Sequence, residues 1–180
     1  MATTDYGFHT TAHTDAPYTE TLNMSTAAAG VNLKTQTVVA SGTNTTCYLT
    51  ANSIPNLSGW VDSRTQTTFL DVSAADSAIR ARCKVGRTDG TNSILQEGAF
   101  TAYQTLSAVQ KYTFSPVAPA WTDGQENVAN QFFVVWEFNN TNTMFSKAVT
   151  YRNFSAGVVT DDSYITADLE VSTRRIMSIV

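Results

Sequence analysis

His9, His13, Cys47, Cys83 and a scatter of carboxylates are the residues of this chain with the chemistry for catalysis or metal binding. The histidines are spaced i, i+4, which on a helix would set both rings on one side and hold zinc with further ligands. The run HTTAH is built of threonine and lacks the glutamate of a zinc-protease motif. A Ser-His-Asp or Cys-His site would need one of these rings to reach the body of the protein, and no GxSxG nucleophile elbow is present. Both histidines are read as solvated side chains of an extended segment.

Asp71, Glu97, Glu126, Glu137, Asp168 and Glu170 lie on or near strand-like runs. Two of them held close together would suit glycoside hydrolysis, but most are better explained as outward-facing groups. Glu137 differs, because period 2 puts it on one face with Phe133 and Val135. A carboxyl among apolar neighbours is pushed up unless a cation pairs with it. A partner among Arg80, Arg82, Lys84 or Lys147 is therefore expected. The loops Asp123–Asn127 and Asp161-Asp162 are oxygen-rich but miss the ligand register of an EF-hand, and are read as polar turns. No catalytic residue, metal site or cofactor is expected.

Arg80, Arg82, Lys84 and Arg87 make a basic stripe on an otherwise acidic chain. It is either a solvated strand face or a contact for an acidic partner. Trp60 and Trp121 fall in loop-like stretches, as interface anchors, lids over a sandwich end or sugar platforms. Cys47 and Cys83 each sit in an apolar strand-like run. They read as buried free thiols, with a single disulfide as the alternative.

The elements that must position these groups are strands. The chain has 180 residues, 14% of them charged, well below the roughly 25% of ordinary soluble domains. Its 29 threonines take up the polar share, and threonine is β-branched and fits a pleated, half-buried surface. A net charge of −4 and a pI near 5.0 argue against nucleic-acid binding, which needs clustered Lys and Arg. No apolar run approaches the length of a membrane helix. The first residues lack the charged and apolar regions of a secretory signal. Production and use in a cytosol, or export only by cell lysis or within a particle, is expected.

Short β-rich runs follow one another from Lys34 onward, with no helical period over ten residues and no long internal repeat. The run AIRARCKVGR alternates cleanly, and TDGTN after it is a hairpin turn signal. Phe132 to Phe138 is the strongest run, apolar on both faces, so it is expected to be covered twice, by this chain or by another copy. Asn139 to Asn142 then predicts a hairpin back into a strand from Met144 to Tyr151. Nine or ten short strands imply an all-β protein, an antiparallel jelly-roll β-sandwich over residues 34–180. Residues 1–33 show no sustained period and are read as an extended N-terminal arm that docks on a partner or a neighbouring copy.

The stretch from Ser77 to Phe100, with its Arg-alternating strand IRARCKVGR, the polar tip TDGTNS and the return ILQEGAF, resembles phage structural jelly rolls. The late run NQFFVVWEFNN resembles their penultimate apolar strand before an Asn-rich turn. The chain is similar on these grounds to the head decoration, or cement, proteins of tailed bacteriophages. The resemblance implies a non-enzymatic virion protein, often a homotrimer, that sits on the capsid surface and reinforces contacts between subunits of the major capsid protein. The contact residues expected are Tyr6, Phe8 and Tyr18 in the arm, Arg80, Arg82 and Lys84 in the stripe, and Phe133 and Val135 between copies. The alternative is a carbohydrate- or receptor-binding β-sandwich module using Trp60 or Trp121.

Overall fold

The computed structural model describes residues 4–14, 17–26, 33–50, 63–90, 92–120, 130–153 and 163–167. All regular structure among them is β. The strands are β1 (Thr4–Ala12), β2 (Thr21–Ser25), β3 (Leu33–Val38), β4 (Thr43–Thr50), β5 (Arg64–Thr65), β6 (Thr67–Ala74) and β7 (Ile79–Thr88). They continue with β8 (Ile94–Glu97), β9 (Gln104–Thr105), β10 (Lys111–Phe114), β11 (Val117–Ala118), β12 (Gln131–Asn140), β13 (Lys147–Arg152) and β14 (Tyr164–Ala167).

β12 is buried on both faces. It runs antiparallel between β4 and β7, with Trp136 opposite Thr46 on one side and Cys83 on the other. Because β12 takes one edge of β7 along its whole length, β8 and β9 lie end to end on the other edge. Beyond β4 comes β2, in parallel, and then β1, β14 and β6. Phe69 and Asp71 of β6 each pair on both edges: β10 holds one edge, β14 and β13 the other. β3 closes the path on β13. A small separate pair, β5 with β11, sits beside this sheet.

The sheet folds over on itself. Phe138 of β12 stacks on Tyr151 of β13 with ring centroids 5.7 Å apart and planes 12° apart. Trp136 meets Phe114 of β10 edge-on at 4.9 Å, and the hydroxyls of Tyr48 and Tyr151 are 2.7 Å apart. Strands remote along the sheet thus face each other across one core. Among the described residues the protein is an all-β sandwich, antiparallel except at the β2–β4 junction. The core takes Phe132, Val134, Trp136 and Phe138 from β12 and Ile79, Ala81, Cys83 and Val85 from β7. Both sets sit on the faces that alternation predicts.

The hairpin expected between β12 and β13 does not form. β4 and β7 occupy both edges of β12, so the chain after Asn140 crosses to the opposite layer, where β13 pairs with β3 and β6. The two runs meet face to face through Phe138 and Tyr151 instead of side by side. The segment read as an arm has the expected extended backbone, but β1 and β2 lie inside the sheet, between β14 and β4. Cys47 and Cys83 are both buried free thiols. They belong to different apolar clusters on opposite faces of the sheet, so no disulfide joins them.

Candidate functional site

The second face of β12 carries the residues that the sequence singles out. Phe133 and Val135 form a small cluster there with Cys47 and Leu49, closed over by Tyr18 and Phe100. Backbone hydrogen bonds lay residues 98–106 along the edge of β7 that faces away from β12. Gly98 donates to Val85, Thr101 to Cys83 and Leu106 to Ile79, each at 2.8 Å. Phe100 and Tyr103 can then fold back over the strand's outer face.

There they interleave with the basic stripe. Arg80 lies 4.3 Å from the Tyr103 ring centre, and Arg82 lies 4.4 Å from Tyr103 and 4.5 Å from Phe100. Lys84 lies 4.8 Å from Phe100 and 5.7 Å from Tyr18. Cation and ring alternate through six residues, each cation attracted by the negative face of the ring beside it. Carboxylates and an amide hold the cations from the other side. Arg82 donates from Nε to Glu137 at 2.9 Å and forms an ion pair with it, Nη2 lying 2.9 Å from the same oxygen, and Arg80 donates to Asn139 at 2.8 Å. Lys84 reaches Glu97 at 2.6 Å, and the Tyr18 hydroxyl donates to Glu97 at 2.7 Å. Tyr103 donates to Glu137 as well. Arg82 is therefore the partner that Glu137 requires.

A second anchor fixes the crossing segment that carries Tyr18. The Glu20 carboxylate accepts from Lys34, Gln36 and Thr46. Burial pushes the Glu20 carboxyl up, but those hydrogen bonds together outweigh it and leave it below the usual range. Glu97 follows the same pattern: burial raises it, and Lys84 and Tyr18 bring it down further than burial lifts it. Burial beside Glu97 pushes the Tyr18 phenol up.

The expected contact residues therefore divide. Phe8, Phe133 and Val135 have no exposed surface. Phe8 stacks on Tyr48 at 4.4 Å inside the core. Phe133 and Val135 have their second cover within this chain, so the contact between copies expected of them is supplied by Tyr18 and Phe100 instead. Tyr6 is half-buried against the main core. Tyr18, Arg80, Arg82 and Lys84 are half-buried and engaged with one another through the ladder. The histidines are not simply solvated: His9 is buried with Ser25 3.1 Å away, and His13 meets Gln131 at 3.5 Å. Trp60, Trp121, the two oxygen-rich loops, Glu126, Asp168 and Glu170 lie outside the described residues.

One apolar surface went unread in the sequence. Where β12 leaves its layer, Asn140 turns its amide nitrogen to the carbonyls of Val38, Val39 and Phe145 at 3.0, 3.1 and 3.0 Å. Its own oxygen accepts from the Asn142 N–H at 2.8 Å. Asn142 in turn accepts from Met144 at 2.9 Å and Phe145 at 2.8 Å, and its carbonyl accepts from Ser41 at 2.8 Å. Two loops are thereby tied into one tip. Val39, Met144 and Phe145 project from it, 64%, 76% and 63% exposed. The signal was the adjacent pair Met144-Phe145, because neighbours in a strand cannot both face one core. The strand begins only at Lys147.

No family model matches the chain, and no curated protein matches it. Among solved structures, the mitogen derived from Yersinia pseudotuberculosis is similar at 10% identity, with a TM-score of 0.33, covering 75% of this chain and 93% of its own.

Proposed function

We propose that this chain is a structural virion protein that acts by binding: as a homotrimer it seats on the outside of a phage capsid and stabilises contacts between major capsid subunits. The observation that carries this reading is how the body uses its charge. Glu20, Asp71, Asp76, Glu97 and Glu137 are each paired within the chain, to Lys34, Arg152, Lys147, Lys84 and Arg82. A carboxylate committed to a cation of its own fold braces the sandwich. A general acid or nucleophile must instead turn toward substrate. The cation–aromatic ladder adds to the same bracing. Such a body suits a part that bears load and binds through its surface. The resemblance to head decoration proteins agrees with it.

The test is co-sedimentation of the purified chain with heads assembled from the major capsid protein of the same virion but lacking this protein. Saturable binding, a higher temperature for shell disruption and a trimer mass by light scattering are expected. A strict monomer that ignores such heads overturns the proposal. Binding on a glycan array that is lost in Trp121→Ala would assign the chain instead to the carbohydrate-binding class.

A further inference from the structure

Large apolar side chains scattered singly on a surface are ordinary, but Val39, Met144 and Phe145 are not scattered. The asparagine network brings their backbones together at one end of the sandwich. The turn beneath them is constrained as well. Gly42 donates to the Val39 carbonyl at 3.0 Å, and Ser41 holds a left-handed φ of 54°. A Cβ at Gly42 would lie 2.4 Å from the Val39 side chain. An apolar tip built on a hydrogen-bonded base, with one residue in a conformation that side chains disfavour, loses little freedom when it is captured.

We infer that this tip inserts into an apolar, uncharged pocket on a subunit of the major capsid protein, with Phe145 as the anchor and Met144 and Val39 as its flanks. This rests on the capsid-binding reading above and names the surface and the chemistry of its partner. Charge selects this occupant over a membrane. Residues 35–46 and 138–146 contain no Asp, Glu, Lys or Arg, and the chain carries −4 overall, so nothing at the tip attracts anionic headgroups. Size selects it over a second copy. Two copies meeting through this tip alone would share little beyond these three side chains, whereas on a capsid subunit the tip is one contact among those the body makes, and specific stable interfaces begin near roughly 1,200 Å² of total area. A concave pocket surrounds an aromatic ring and excludes water from it, the setting in which a few anchors carry most of the binding. Methionine's unbranched, polarisable chain adapts to the wall beside it.

The experiment compares wild type, Met144→Ser/Phe145→Ser and Val39→Ser for binding to heads lacking this protein, and to vesicles of zwitterionic and of anionic lipid. Far-UV circular dichroism melting and light-scattering mass run alongside. The double variant changes only exposed side chains, so its melting should stay as in wild type while head binding falls about tenfold or more. Val39→Ser should lose less, and no protein should bind vesicles. If wild type binds heads and the double variant binds equally well, the tip is not the docking surface, although the capsid reading stands. If wild type binds no heads, the capsid reading falls and this inference with it. Vesicle binding lost in the double variant, or a trimer lost in it, also overturns the inference, in favour of lipid or of self-association.

Discussion

The two faces of β12 are both buried, by different means. On one face Phe132, Val134, Trp136 and Phe138 enter a core closed by strands of the opposite layer. On the other, Phe133 and Val135 lie under Tyr18, from the segment before β2, and Phe100, from the segment bonded along the edge of β7. The first cover is nearly all apolar surface. The second is rimmed by Arg82, Lys84, Glu97 and Glu137, so its hold depends on charge as well as on area. Burial fraction alone does not separate these faces. What covers each residue does, and it sets how each face responds to mutation, acid and salt.

The widest gap between the faces is expected from cavities. Trp136 is fully buried and packs against Phe8, Phe114 and Phe138. Trp136→Ala should destabilise by about 3–5 kcal/mol, because the rigid layers around it cannot close the void. On the other face the opposite change is informative. Gly86 sits opposite Phe133, and a Cβ there would lie 2.4 Å from the Phe133 ring and 2.5 Å from the Gln96 carbonyl. Gly86→Ala should cost about 1–3 kcal/mol by overpacking. Urea unfolding measures both. If Gly86→Ala matched or exceeded Trp136→Ala, the outer face would be as unyielding as the core, and the contrast would fail.

This contrast also marks how far the sequence was legible. Strict alternation in Ile79–Val85 assigned both faces of β7, and period 2 assigned both faces of β12. What covers the second face was open, because Tyr18 and Phe133 are far apart in sequence and no local pattern links them. Cover by the same chain and cover by a neighbouring copy leave the same mark on a strand. β1 gave no sustained period because its register to β2 slips by two residues between Phe8 and Ala12, and Gly7, Phe8 and His9 are buried in succession, without alternation. The Asn-rich break after Phe138 was recognised as a turn, but its local chemistry holds no information about which layer the chain enters next. That was decided by β4 and β7 filling the edges of β12. The ladder was half legible: the basic stripe stood out, while the aromatics that interleave with it came from an irregular segment.

Smaller effects should follow from loosening the ladder. Phe100 touches Arg82 and Lys84 and helps close the small cluster. Phe100→Leu keeps apolar volume and removes the ring's negative face, so it should cost about 1 kcal/mol, the scale of a partly exposed cation–ring contact. Added salt should narrow the difference between variant and wild type, since part of it is charge. Phe138→Leu, on the apolar face, should show no such salt dependence. Urea titrations at low and high ionic strength measure this, and equal salt responses would mean that charge does not distinguish the two covers.

Acid should give the smallest but most local separation. Glu20 and Glu97, which anchor the crossing segment and its Tyr18, are both held below the usual carboxylate range. A lowered carboxyl contributes stability that is complete above its unfolded value and is lost as pH falls through the folded one. Both side chains are partly solvated, which keeps the contribution modest. The described residues of the apolar core cluster include no carboxylate, and burial pushes the phenols of Tyr48 and Tyr151 upward, so they stay neutral throughout the acid range. His9 responds earlier. Burial lowers it, and its contribution fades as pH falls through and below the ordinary histidine range, an effect centred on β1. Hydrogen exchange followed from neutral pH downward should therefore rise first in β1. Below the ordinary glutamate range it should rise at residues 17–21 and 98–105, while the amides of Val134 and Trp136 remain protected. Simultaneous exposure of Trp136 and Tyr18 would show that the outer cover and the core open as one unit.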